Sequence, residues 1–83
     1  MSSPPSIQIP PGLTQGTRLR HHKGGLYEVL GACVIEANLE TGILYRPLHG
    51  DGQSLTWMRP ASAFFETVQT DQGDRPRFVV VAP

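Results

Sequence analysis

The sequence predicts an all-β domain, and three observations predict it. Eight prolines and nine glycines among 83 residues leave few stretches able to run as a helix. Runs rich in β-branched and aromatic residues alternate with short connections that carry glycine, asparagine or aspartate. The one clear helical signal is a single turn led by a proline.

Residues 1–15 hold Pro4, Pro5, Pro10 and Pro11 with three serines. Such a stretch cannot form a helix, and it reads as a flexible N-terminal arm. The folded domain is expected over 16–83. Thr17 to His21 (TRLRH) alternates as a first short strand. Lys23-Gly24-Gly25 signals a turn. Leu26 to Ile35 (LYEVLGACVI) is a second, longer strand, apolar on both faces. Tyr27, Val29, Cys33 and Ile35 fall on one side; Leu30, Ala32 and Val34 fall on the other with Glu28. A strand apolar on both faces bends to serve two sheets, and Gly31 is the expected bend or bulge. Glu36 to Gly42 is a polar connection. Ile43 to Leu48 (ILYRPL) is the third strand, with Pro47 confining its end to an edge or bulge. His49 to Ser54 is a tight loop, and Leu55 to Arg59 (LTWMR) is the fourth strand. Pro60 to Phe64 is the helical turn. Glu66 to Arg75 reads as polar and loose, and Arg77 to Ala82 (RFVVVA) closes the chain as a strand. Four or five short strands with one short helical turn before the last fit a small half-open barrel of the SH3-like kind, because closure protects edges that a flat sheet would expose. A shortened OB-fold is the alternative.

Charge and cysteine content narrow the function. Seven Lys and Arg balance seven Asp and Glu, so the chain lacks the overall basic field of a dedicated nucleic-acid binder. Cys33 is the only cysteine, which excludes an intrachain disulfide and a cysteine-based zinc site. No apolar run approaches the roughly 20 residues of a membrane span. The N-terminus lacks the charged start and apolar stretch of a signal peptide, so a cytoplasmic location is expected.

Each candidate constellation competes with a structural explanation. Cys33 with His49 or His21 and Asp51 would supply the residue types of a Cys-His-Asp centre. Yet Cys33 sits mid-strand among apolar neighbours with no cation to lower its pKa. His21 and His22 point to opposite faces of a strand and cannot both chelate a metal easily, so no metal or other cofactor is expected. Arg18, Arg20, His22 and Lys23 form a local basic rim that could meet single-stranded nucleic acid; its structural explanation is a solvated, charged edge. Tyr27, Tyr45, Trp57 and Arg59 are the most informative set. Trp57 and Arg59 share a strand face, and an arginine beside tyrosine and tryptophan suits an extended peptide, a carboxylate or a base. Its structural explanation is an Arg59 packed on an aromatic ring and paired with Glu28 or Glu66. The sequence therefore favours a binding or adaptor module using this aromatic–arginine surface, with an unidentified protein or small-molecule partner. A nucleic-acid accessory role is the second reading, and a small hydrolase or metal-dependent enzyme the third, since no acid–base set converges.

The order of motifs adds a resemblance. H-H-K-G-G-L-Y-E-V-L, L-Y-R-P-L-H-G, W-M-R-P-A-S-A-F-F-E-T-V and R-P-R-F resemble the bacterial family known as domain of unknown function 1653. Its pattern is roughly H-Y-K-G-x-x-Y-x-V, Y-x-x-L-Y-G, W-x-R-P-x-x-x-F and a closing R-F, and it covers Gly16 to Phe78. Carried over residue by residue, the pattern falls on His21, Lys23, Gly24, Tyr27, Tyr45, Leu48, Gly50, Trp57, Arg59, Pro60, Phe64, Arg77 and Phe78. His22 and His49 stand where the family has tyrosine. Ile35, Glu36, Ala37 and Asn38 replace a polar H-S-E-T segment. The resemblance implies an SH3-like barrel and supplies no activity.

Overall fold

The computed structural model describes residues 9–82, the side chains of 51 and 53 excepted. It is all-β. Strands β1 (Arg18–His21), β2 (Leu26–Ile35), β3 (Glu40–Pro47) and β4 (Trp57–Pro60) form an antiparallel meander, each pairing with its neighbour in sequence. The last strand, β7 (Phe78–Ala82), returns to pair with β1, giving one five-stranded sheet of order β4-β3-β2-β1-β7. Between β4 and β7 lie β5 (Thr67–Thr70) and β6 (Gly73–Pro76), a separate two-stranded hairpin. Short 3-10 turns span Asp51–Ser54 and Ala61–Ala63.

The hairpin corrects the expectation of a loose segment over 66–75. Its sequence carries no apolar alternation because β6 is exposed throughout. Turn chemistry holds it instead. Gly73 takes φ 98°, the Thr70 hydroxyl donates to the Gly73 carbonyl at 2.6 Å, and the Gln72 N–H donates to the Thr70 oxygen at 3.2 Å. The helical turn at 61–63 thus precedes this hairpin rather than leading directly into the last strand.

The core consists of Leu13, Leu19, Val29, Ile43, Tyr45, Phe64 and Phe78, with Tyr27, Ala32 and Ala61 packed against it. Full burial of a Leu, Val, Ile or Phe side chain stabilises by about 1.5–3 kcal/mol. Leu13, within the proline-rich stretch, is 1% exposed. The backbone there is pinned to β2: the Gly16 N–H donates to the Val29 carbonyl at 2.8 Å, and the Val29 N–H donates to the Thr17 carbonyl at 2.9 Å. Of the arm expected over 1–15, the first eight residues lie outside those described, and Leu13 packs in the core.

β2 bends where Gly31 stands. Val29 pairs with Tyr45 and Gly31 with Leu44, so Leu30 is an extra residue in the ladder. One extra residue inverts the alternation that follows. Tyr27 and Val29 face the core, and beyond the bulge Ala32 takes that role. The expected common face of Val29 and Cys33 is thereby broken. Cys33 lies on the opposite side with Ile35, over Gly42 and beside Met58.

Candidate functional site

His21 ends β1, and the sequence after it fixes where its side chain goes. Gly24 at φ 101° closes the turn with its N–H on the His21 carbonyl (2.7 Å), and the His21 N–H donates to Gly25 at 2.8 Å. His21 shares the inward face of β1 with the buried Leu19 and pairs with Phe78 on β7. Its ring meets Phe78 edge-on at 5.0 Å, and Tyr27 lies 6.2 Å away. The Lys23 backbone N–H donates to Nδ1 of His21 at 3.2 Å, which places the proton of the neutral ring on Nε2.

Two arginines converge on this ring from other elements. Arg59 extends from β4, with its guanidinium carbon 6.0 Å from the Phe78 ring centre. Arg77 immediately precedes β7. Its N–H donates to the Glu66 carbonyl at 2.7 Å, and its own carbonyl accepts the His22 N–H at 2.9 Å. Burial lowers the His21 pKa from its ordinary value, and the charges of His22, Arg77, Lys23 and Arg59 lower it further.

The decisive feature is what the arginines lack. Nε of Arg59 and Nε of Arg77 are both shielded from solvent, and neither has a hydrogen-bond partner among the described residues. A buried donor without an acceptor costs about 1–3 kcal/mol. The acids expected to neutralise Arg59 are engaged elsewhere. Glu28 pairs with Arg46 at 3.2 Å, and Glu66 approaches Arg77 at 3.7 Å, a distance too long for a hydrogen bond. The structure thus presents two arginines with shielded Nε–H groups near an imidazole, one of them over the ring of Phe78.

An open cleft of about 570 Å³ adjoins this cluster, bounded by the β1–β2 turn and the β5–β6 hairpin. His21 belongs to both: one side of its surroundings holds Arg59 and Arg77, and the other opens onto the cleft. The cleft excludes the two arginines themselves, yet Arg75 and Pro76 line it and lead directly into Arg77.

The expected aromatic–arginine surface is only partly assembled. Trp57 is 43% exposed and lies against the Gly52 turn. Tyr45, its partner across the β3–β4 ladder at 6.3 Å between rings, is 3% exposed and belongs to the core. Tyr45 cannot be the floor of a surface groove, because facing inward next to Ile43 places it against Phe64 and Phe78. Tyr27 is half-buried and joins the aromatic floor under His21. Of the expected basic rim, Arg20, His22 and Lys23 line the cleft, whereas Arg18 stands at the other end of β1, outside it. Arg77 and the inward role of His21 were missed by the site reading. The signal was present, since both are motif positions. Among the described residues no three His, Cys, Asp or Glu side chains gather, and no helix is long and apolar enough to cross a membrane.

Comparison with known proteins agrees on the family. Residues 17–80 match the family described as "Protein of unknown function (DUF1653)". A crystal structure of a DUF1653 protein from Bordetella bronchiseptica is similar to this chain, with 31% identity and a TM-score of 0.71. The match covers 82% of this chain and 86% of that one. No curated protein matches.

Proposed function

The chain belongs to the DUF1653 family, and from that premise we propose that it is a non-enzymatic binding module that recognises an anionic group at His21, Arg59 and Arg77. The scaffold for this reading is a half-open barrel of the SH3-like kind, whose open side lies between β4 and β7. Arg59 reaches from one of these strands toward Phe78 on the other. The observation that carries the proposal is the pair of shielded Nε–H donors with no acceptor. Such donors are costly unless something supplies oxygen atoms, and a guanidinium presents its Nε edge to carboxylate or phosphate oxygens in a bidentate fork. His21 Nε2–H is a third donor beside them. Family motif positions supply all three side chains, which accounts for an H…R…RF pattern scattered over the chain.

The test reads the donors directly. Arginine Nε–H signals in a nitrogen–proton correlation spectrum are followed while inorganic phosphate is added. Saturable shifts at Arg59 and Arg77, with Arg46 unmoved, are the expected result. Unmoved Arg59 and Arg77 signals through millimolar phosphate would overturn the reading.

A further inference from the structure

The neutral net charge conceals an uneven distribution. Arg20, Lys23 and Arg75 line the cleft, and Arg59 and Arg77 stand behind His21, so one end of the molecule holds five of the seven Lys and Arg residues. His21 and His22 join them, with ring centres 4.2 Å apart. Glu36 and Glu40 lie at the far end of β2 and Glu28 is occupied by Arg46, while Glu66 beside Arg77, Asp71 in the cleft and Asp74 on β6 reduce the positive excess of this end without cancelling it. A local field of this kind acts on a nearby partner despite a zero sum, because charges separated by more than about 8–10 Å are screened from one another at physiological salt.

We propose that the cleft binds the phosphodiester chain of a single-stranded nucleic acid, with one phosphate held by Arg59 and Arg77 and the strand running on past Arg20, Lys23 and Arg75. The inference rests on the anion-binding reading above and names its ligand. Three features favour a nucleic-acid strand over an acidic peptide. Arg20, Lys23 and Arg75 are spread around a cleft that shares His21 with the arginine pair, as contacts to successive phosphates of a chain require. Gln69 and Gln72 line the opposite wall, and their side-chain amides make no hydrogen bond among the described residues, leaving donors and acceptors for base edges. The imidazole rings of His21 and His22, 4.2 Å apart between centres and tilted by 36° to one another, each offer a ring face on which a base can stack. Asp71 stands on the hairpin rim as the one acid of the cleft, and it bounds the path by repulsion.

The experiment uses the full chain and fluorescence anisotropy with a labelled oligothymidylate of about twelve nucleotides, within the usual range of sites on small β domains. Thymidine monophosphate and a polyglutamate of equal length are the competitors. The oligonucleotide is expected to bind more tightly than the mononucleotide, with log K falling linearly in log salt. Lys23→Ala and Arg75→Ala should each flatten that slope by about 0.7, while the phosphate-induced shifts at Arg59 and Arg77 persist. Asp71→Asn should tighten binding, and Arg18→Ala should leave it unchanged. An oligonucleotide that binds no more tightly than the mononucleotide, with the phosphate shifts intact, overturns the strand proposal and leaves the anion site standing. Equal or better competition by polyglutamate overturns it in favour of an acidic peptide. Loss of both oligonucleotide binding and phosphate shifts overturns the two readings together.

Discussion

The guanidinium of Arg59 lies 6.0 Å over the ring of Phe78, and its shielded Nε–H has no acceptor among the described residues. The cation–π contact is worth about 0.5–2 kcal/mol. The unsatisfied donor costs a similar amount in the other direction. Arg59 is therefore close to neutral for stability. Replacing it by methionine, which keeps the stem and removes the donor, should leave the urea midpoint within about 1 kcal/mol of the parent, or raise it. The same change should abolish the phosphate-induced shift at Arg77. A stability loss above about 2 kcal/mol would instead make Arg59 a structural residue. Trp57 fluorescence follows the unfolding.

Leu13 gives the opposite expectation. It is buried against the core although it lies in a proline-rich stretch. Leu13→Ala should cost about 2–4 kcal/mol, the range for a buried leucine whose site cannot collapse fully. A cost below about 0.5 kcal/mol would mean that the segment at 10–17 does not pack in solution.

His21 sets a pH dependence with a definite sign. Its pKa is lowered in the folded state by burial and by His22, Arg77, Lys23 and Arg59. The unfolded chain therefore binds a proton more readily, and stability is full above the ordinary histidine range near pH 6.5 and falls as pH drops through it. Denaturant midpoints measured from about pH 7.5 to 5 should decline, and His21→Gln should flatten the decline. An anion bound at the arginines offsets their charge and raises the His21 pKa. Phosphate should therefore reduce the acid loss, and its binding should take up protons near pH 6. A pH profile identical with and without the histidine would remove His21 from the cluster.

Leu39 is a local strain point. It sits at φ 61° in the β2–β3 turn, is 63% exposed, and is held there by its N–H on the Ile35 carbonyl at 2.7 Å. A leucine in the left-handed region is disfavoured by roughly 1 kcal/mol, whereas glycine adopts it freely. Leu39→Gly should leave stability unchanged or raise it by up to about 1 kcal/mol, even though glycine usually weakens a chain. A clear loss would show that the exposed side chain is held by a contact of its own.

The strands carrying β-branched and aromatic runs were legible, and β2 was read with the bounds the structure has. So was its bend, because a strand apolar on both faces must turn. What the sequence concealed follows from physics acting at longer range. Alternation cannot reveal where a bulge inverts parity, so Cys33 was placed on the wrong face of β2. The β5–β6 hairpin has no buried stripe, and only the Gly73 turn betrays it. Leu13 was hidden by the prolines around it. Residue type alone singled out Trp57, Arg59 and the His22–Lys23 rim as candidates; the structure leaves Trp57 exposed and puts His22 and Lys23 on the cleft. Tyr45 proved to be core because a cross-strand pairing with Trp57 gives no sign in the sequence of which ring lies deeper. Arg77 was legible as a motif position but not as a neighbour of His21, because β7 meets β1 through a pairing between opposite ends of the chain.

That pairing governs the order in which the protein can be assembled. The ladders from β1 to β4 join neighbours in sequence and close through short loops. The β1–β7 ladder, which sets His21 opposite Phe78, must wait for the chain to come back on itself, and contacts between distant positions form slowly. His21 and Arg59 belong to the early part and Arg77 to the late part. A half-folded chain thus has no complete cluster of donors, and whatever occupies the cluster holds on to the last strand to arrive. An anion bound as proposed would slow the detachment of the C-terminal strand and so act as a latch on the final folding step.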